Sequence, residues 1–176
     1  MAISFITTVG AADANSYVTV AEFNTYVEKL LNSDNLPKSS QTTLIKKLLL
    51  AATEVIDAET FDGYRTDISV QNLEFPRIGL VDRAGYSIDE NTIPQELKDA
   101  VCEMAIFLYE NQLNHAQHSS WDDEVQSASI GGSVTINYKS GVSAKPNTLL
   151  PERVKFLLER IGQRGWIPHL TRVCRL

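Results

Sequence analysis

The chain has 176 residues, 43% of them hydrophobic and 22% charged, with a formal net charge of -6. That length fits one domain with appendages, and at this size roughly 70% of the unfolded surface can be buried, so a core needs no staples. Two cysteines make no disulfide framework, and the longest aliphatic run, Leu48 to Ala52, falls far short of the ~20 residues of a membrane helix. Met1 to Gly10 also lacks the basic and apolar regions of a secretory signal, so the expectation is a soluble chain with two reduced thiols, Cys102 and Cys174.

Ile3 to Val9 is β-rich and reads as a short strand. Thr19-Val20-Ala21-Glu22 fits the capping box, in which the Thr hydroxyl and the Glu carboxylate each satisfy a free backbone N–H. A first helix should follow to about Leu31, with Phe23, Val27, Leu30 and Leu31 on one face. After a turn at Pro37, a second helix is expected from about Gln41 to Ala58. Its Leu44, Ile45, Leu48, Leu49, Ala52, Val55 and Ile56 keep helical spacing, and Asp62-Gly63 is placed to stop it.

Phe61 to Pro94 is dense in punctuation, with Asp62-Gly63, Phe75-Pro76-Arg77, Gly79, Gly85 and Ile93-Pro94. A connection this long inside a compact domain is either functional or disordered. Phe61, Tyr64, Leu73, Phe75, Ile78, Leu80, Tyr86 and Ile88 give it enough apolar surface to offset the entropy of ordering, so a packed loop is expected.

Pro94 opens a third helix running to about Asn114. Leu97, Val101, Met104, Ala105 and Leu108 form its stripe, and Ile106, Phe107 and Tyr109 widen it. A helix apolar on several sides is central, or meets a neighbouring subunit as well. Between Gln126 and Ser140 the period changes to two around Gly131-Gly132, the mark of a β-hairpin. Pro151 opens a fourth helix with Val154, Leu157, Leu158 and Ile161 inward and Gly162 at its end. The fold class is therefore mainly α: a bundle of about four helices with a long ordered loop, a hairpin and an extended C-terminal tail. Residues 1–150 form the body, with the hairpin near 125–140, and residues 151–176 the last helix and a basic tail.

Charge is uneven. Pro151 to Leu176 carries six Lys/Arg against Glu152 and Glu159, whereas Asp82 to Glu124 carries ten acids against Arg83 and Lys98. An acidic body does not suit gripping a nucleic-acid backbone, which takes clustered positive charge. A basic tail suits an acidic protein partner, although solvated charged faces are equally ordinary.

Chemistry-bearing motifs are scarce. There is no phosphate-binding glycine loop, no GxSxG elbow and no CxxC. His115 and His118, followed by Asp122, Asp123 and Glu124, have ligand types for a metal, but at the spacing of an ordinary polar loop. Cys102 on an apolar helix face reads as a core residue before it reads as a nucleophile. Asp57, Glu59 and Asp62 sit where helix ends and turns routinely carry acids. No catalytic residue, cofactor or metal is assigned. Trp166-Ile167-Pro168, in a basic tail beyond the last helix, has the residue types of an interface hot spot.

Several segments together carry a resemblance: Ser16 to Glu22; Tyr64-Arg65-Thr66-Asp67; Leu73-Glu74-Phe75-Pro76-Arg77-Ile78-Gly79; and Ile93 to Ala100. They resemble a phage and prophage family labelled DnaT-like single-stranded-DNA-binding protein. They are equally similar to the head-to-tail adaptors of tailed bacteriophages. The resemblance covers about Ser16 to Leu113. It departs at Phe75, where a Trp is expected, and does not reach the tail after Gly165.

The resemblance implies a structural virion protein of the neck, assembled in the host cytoplasm. Such a protein docks on the portal protein, forms a ring, typically a dodecamer, and offers a surface to a tail or nozzle protein. Double-stranded DNA passes through its channel without specific binding, and no membrane is involved. On that reading Arg160, Arg164, Trp166, His169, Arg172 and Arg175 dock on the portal. Phe75, Pro76 and Arg77, with Val134, Ile136 and Tyr138 of the hairpin, make subunit contacts. The alternative is a single-stranded-DNA-binding accessory protein of replication. A small metal-dependent enzyme rests on the His115/His118 segment alone.

Overall fold

A computed structural model describes residues 4–31, 33–82, 84–111 and 150–161 in full, and the backbone of two strands at 127–130 and 134–137. In chain order the elements are α1 (Val20–Glu28), a 3-10 turn (Ser33–Asn35), α2 (Thr42–Asp57), β1 (Tyr64–Arg65), β2 (Arg77–Ile78), α3 (Gln95–Glu110), β3 (Ser127–Ile130), β4 (Val134–Asn137) and α4 (Glu152–Glu159). The mainly α architecture, the long packed loop and the hairpin match the expectation from sequence.

α3 is the centre. It packs against α2 on one side and α4 on another, with α1 also in contact. That explains its wide apolar surface: Leu97, Ala100, Val101, Cys102, Met104, Ala105, Ile106 and Leu108 are all buried. α2 contributes Ile45, Leu49, Ala52 and Ile56, and α4 contributes Val154 and Leu158, to the same core. At about 25 cal/mol per Å2 of apolar surface removed from water, such side chains stabilise the fold by roughly 1.5–3 kcal/mol each.

Caps and polar ties fix the helix directions. The Thr19–Glu22 capping box is present at α1, and Lys98 Nζ of α3 reaches Glu22 Oε1 at 2.6 Å. Burial pulls the Glu22 carboxyl upward, but bonds from Lys98 and Thr19 outweigh it and hold its pKa below the ordinary value. Glu103 at mid-α3 accepts from Tyr26 Oη at 2.5 Å and from Arg153 Nε at 2.7 Å, tying α1, α3 and α4 at one point. Nearer the start of α3, Arg160 Nη2 lies 3.6 Å from Glu96 Oε1. α4 therefore runs antiparallel to α3 and ends beside the start of α3.

Some local expectations are corrected. α1 stops at Glu28, so Leu30 still packs on the core but Leu31 is fully exposed. Residues 4–9 form no strand. The Asn15 side chain takes the place of a strand partner, accepting from Ile6 N at 2.8 Å and donating to Ser4 O at 3.1 Å. Gly63 does not end α2, which closes at Ala58. Gly63 has φ +72°, and a Cβ there would stand 2.2 Å from the Ile78 carbonyl oxygen, so the close approach of β1 to β2 requires glycine.

β3 and β4 pair antiparallel, Ala128 opposite Ile136 and Ile130 opposite Val134. The hairpin is thus where the change of period puts it. No helix among the described residues is long and apolar enough to cross a membrane.

Candidate functional site

The long loop, residues 61–94, has an inner and an outer face made by different residue types. Inward, Phe75 stacks edge-on against Phe61, centroids 4.8 Å apart, and against Tyr17 at 6.1 Å, while Leu80 is buried beside them. Pro76 follows Phe75 through a cis peptide bond.

Arg77 is the organiser. Its side chain is only 8% exposed. Nε donates to Asp62 O at 2.9 Å, Nη2 to Gly63 O at 2.9 Å and Phe61 O at 3.2 Å, and Nη1 to Glu74 O at 3.3 Å and to the Glu74 carboxylate. The planar guanidinium, with five N–H donors in a fixed fork, gathers three successive carbonyls and closes the loop on itself. Arg65 Nε adds a second contact to Glu74, at 3.5 Å. Gln71, also buried, donates to Leu73 O at 2.7 Å and Pro76 O at 3.0 Å.

A second tie joins the loop to the helices. Tyr17 donates its hydroxyl to Asp57 at the end of α2. Glu74 N donates to the same Asp57 oxygen at 2.9 Å, and Phe75 N to the Tyr17 hydroxyl at 3.1 Å. Burial, with Asp57 beside it, pushes the Tyr17 phenol far up. Burial also raises Asp57 above its ordinary value, against the pull of the Tyr17 and Glu74 bonds.

The outer face is apolar. Six of the nine large hydrophobic side chains exposed among the described residues lie between Tyr64 and Tyr86: Tyr64, Ile68, Val70, Ile78, Val81 and Tyr86. Tyr64 is opposite Ile78 in the β1–β2 ladder, and Tyr64 and Tyr86 are each 74% exposed. Val81 and Tyr86 belong to a tight turn closed by Asp82 N to Tyr86 O at 2.8 Å and Ile88 N to Leu80 O at 3.0 Å. Thr66 Oγ1 donates to Glu90 O at 2.6 Å, bringing the turn with Ile68 and Val70 beside the end of the loop.

Charge around this face is acidic. Arg65 and Arg77 are both engaged by Glu74, whereas Asp67, Asp89 and Glu90 are exposed. Bonds from Ser69 hold Asp67 below its ordinary pKa, hence ionised. Across the fully described residues, nineteen Asp/Glu stand against ten Lys/Arg, an acid surplus unlike the clustered positive charge that grips a nucleic-acid backbone.

The residues singled out from sequence divide three ways. Phe75, Pro76 and Arg77 lie inside the fold and shape the loop, and the outward side chains around them are Tyr64, Ile68, Val70, Ile78, Val81 and Tyr86. Arg160 is half exposed at the end of α4, and Val134 and Ile136 lie in β4. Arg164, Trp166, His169, Arg172, Arg175, Tyr138 and the segment His115, His118, Asp122, Asp123 and Glu124 lie outside the described residues. Among the described residues no group of three or more His, Cys, Asp or Glu could hold a metal ion. Cys102 is buried and its thiol is pushed well up by burial, which disfavours the reactive thiolate. A cleft between residues 7–11 and the loop, lined by Tyr17, Gln71 and Phe75, holds about 10 Å3, room for about one water.

The family model described as "Putative DnaT-like ssDNA binding protein" matches residues 1–173. The chain belongs to this family. The match takes in the loop, both strand pairs and all four helices. No curated protein and no solved structure matches the chain.

Tyr17, Asp57 and Gln71 were not legible as loop-holding residues. Tyr17 precedes α1 and Asp57 ends α2, and nothing in hydrophobic periodicity pairs two polar groups forty residues apart.

Proposed function

We propose that this DnaT-like family member is a non-catalytic assembly protein, a head-to-tail adaptor of the virion neck. In this reading it docks on the portal ring through Arg160 and the tail residues Arg164, Trp166, His169, Arg172 and Arg175. Copies of the chain meet through the outer face of the loop and the hairpin, and the ring extends the DNA channel toward a tail or nozzle protein. The observation that carries the reading is the concentration of exposed apolar side chains on a loop held rigid from within. Large exposed apolar side chains gathered on one loop are the kind of surface that marks protein–protein contact. The acid surplus of the body suits a channel along which DNA slides without being gripped.

The test is negative-stain microscopy and light scattering of the chain with and without the portal. Rings that form on the portal, and fail to form with Tyr64→Ser and Ile78→Ser, support the reading. A chain that stays monomeric and unbound at high portal concentration removes it.

The family description favours a second reading, a single-stranded-DNA-binding accessory protein. Exposed Tyr64 and Tyr86 have the π-faces on which bases stack, but exposed Asp67, Asp89 and Glu90 would repel the phosphates between them. Gel shifts with a single-stranded oligonucleotide across a salt series decide it. Sub-micromolar affinity with a steep salt slope would replace the adaptor reading.

A further inference from the structure

The outer face of the loop has a complementary segment in the same chain. Residues 162–176 read GQRGWIPHLTRVCRL: Arg164, Arg172 and Arg175, no Asp or Glu, and Trp166, Ile167, Leu170, Val173 and Leu176. The loop face is the reverse, with exposed Tyr64, Ile68, Val70, Ile78 and Tyr86 beside exposed Asp67, Asp89 and Glu90. Aromatic and arginine side chains meeting an apolar surface with a carboxylate rim is the pairing found at stable interfaces.

Geometry puts the two within reach. Ile161 is buried, and Arg160 Nη2 lies 3.6 Å from Glu96 in the first turn of α3. The chain therefore leaves α4 beside the point where the loop ends, six residues from Glu90. Six residues span at most roughly 20 Å, whereas the fifteen of the tail can span roughly 50 Å. The Thr66–Glu90 bond places the Ile68–Val70 turn at this end of the loop as well.

We propose that residues 162–176 dock on the outer face of the loop of their own chain, with the apolar side chains of the tail, Trp166 among them, against its exposed apolar residues and the arginines toward Asp67, Asp89 and Glu90. The contact shields the apolar face of an isolated chain. It does not depend on the adaptor reading, and a chain that binds no portal can still make it. If that reading holds, a partner that takes the tail also uncovers the loop, linking docking to association of copies.

Trp121 and Trp166 are the two tryptophans, so Trp121→Phe leaves Trp166 as sole reporter in the full-length chain. Acrylamide quenching of Trp166 should be weak, unchanged on dilution, and stronger at high salt. Adding Tyr64→Ser and Ile78→Ser, both at exposed positions, should raise the quenching constant severalfold with the helical circular dichroism intact. Asp89→Lys with Glu90→Lys should raise it too, through charge alone. Trp166 already as accessible as free indole, or shielding that either set of variants leaves unchanged, overturns the proposal. Shielding lost on dilution also overturns it, since the contact would then lie between copies.

Discussion

The helical layer and the long loop are both ordered, but different forces hold them. α2, α3 and α4 are held by apolar side chains at helical spacing, with ion pairs only at the margins. The loop also buries Phe61, Phe75 and Leu80, yet its path is set by polar side chains bonded to its own backbone: Arg77 to three successive carbonyls, Gln71 to two, Tyr17 and Asp57 to two N–H groups. A helix satisfies its backbone internally, so its side chains are free to pack. A loop with little ladder leaves carbonyls and N–H groups to be satisfied one at a time. That use of polar groups inward leaves apolar ones outward, and in this loop the outward ones form the candidate contact face.

Substitutions can separate the two regimes. Leu49→Ala, in the helical core, should cost about 3–5 kcal/mol and lower the unfolding midpoint of the whole domain in urea, with the loop opening only when the helices do. Arg77→Ala should cost roughly 3 kcal/mol by leaving buried carbonyls and part of Glu74 unpaired. Its signature should differ: proteolysis within 61–94 should appear while helical circular dichroism persists. Cleavage rates as low as wild type would break the comparison, because the loop would then be held by packing alone.

Tyr17→Phe keeps the ring contact with Phe75 and removes the hydroxyl that Asp57 and Phe75 N share. A loss of about 1–3 kcal/mol is expected from the unpaired groups, read as faster hydrogen exchange at Glu74 and Phe75. A silent variant would show that water replaces the hydroxyl at no cost.

The smallest effect is on pH dependence. Asp57 has a folded pKa raised above its ordinary 3.8, so its stabilising contribution is complete below that value and is lost as pH rises through the folded value. Asp57→Asn does not titrate. Its stability relative to wild type should therefore improve from pH 3 toward neutrality, measured by urea unfolding at each pH. A flat difference would mean that Asp57 titrates alike in folded and unfolded chains.

Legibility followed the same division. The α2 and α3 stripes, the Thr19–Glu22 cap, the Pro94 and Pro151 helix starts and the period-two hairpin are local patterns, and each stands within a few residues of where sequence puts it. The order of the loop was also legible, from the apolar residues it carries. Which way each one faces was not: Phe75 is buried together with Pro76 and Arg77, whereas Tyr64, Ile78 and Tyr86, counted with it as packing residues, face out. Asn15 standing in for a strand partner, and Gly63 serving a close backbone approach rather than a helix end, are of the same kind.

The sequence by itself determined the helices, their apolar faces, the excess of acid in the body and the basic character of the tail, because periodicity, caps and charge act over a turn or two of chain. Only the tertiary structure decided that Tyr17 reaches Asp57, that Arg77 closes on residues 61–63, and that α4 ends beside the start of α3. Those contacts join residues from fourteen to more than sixty positions apart with no repeating pattern between them. They exist because each buried polar group needed a partner and the packed helices brought one within reach.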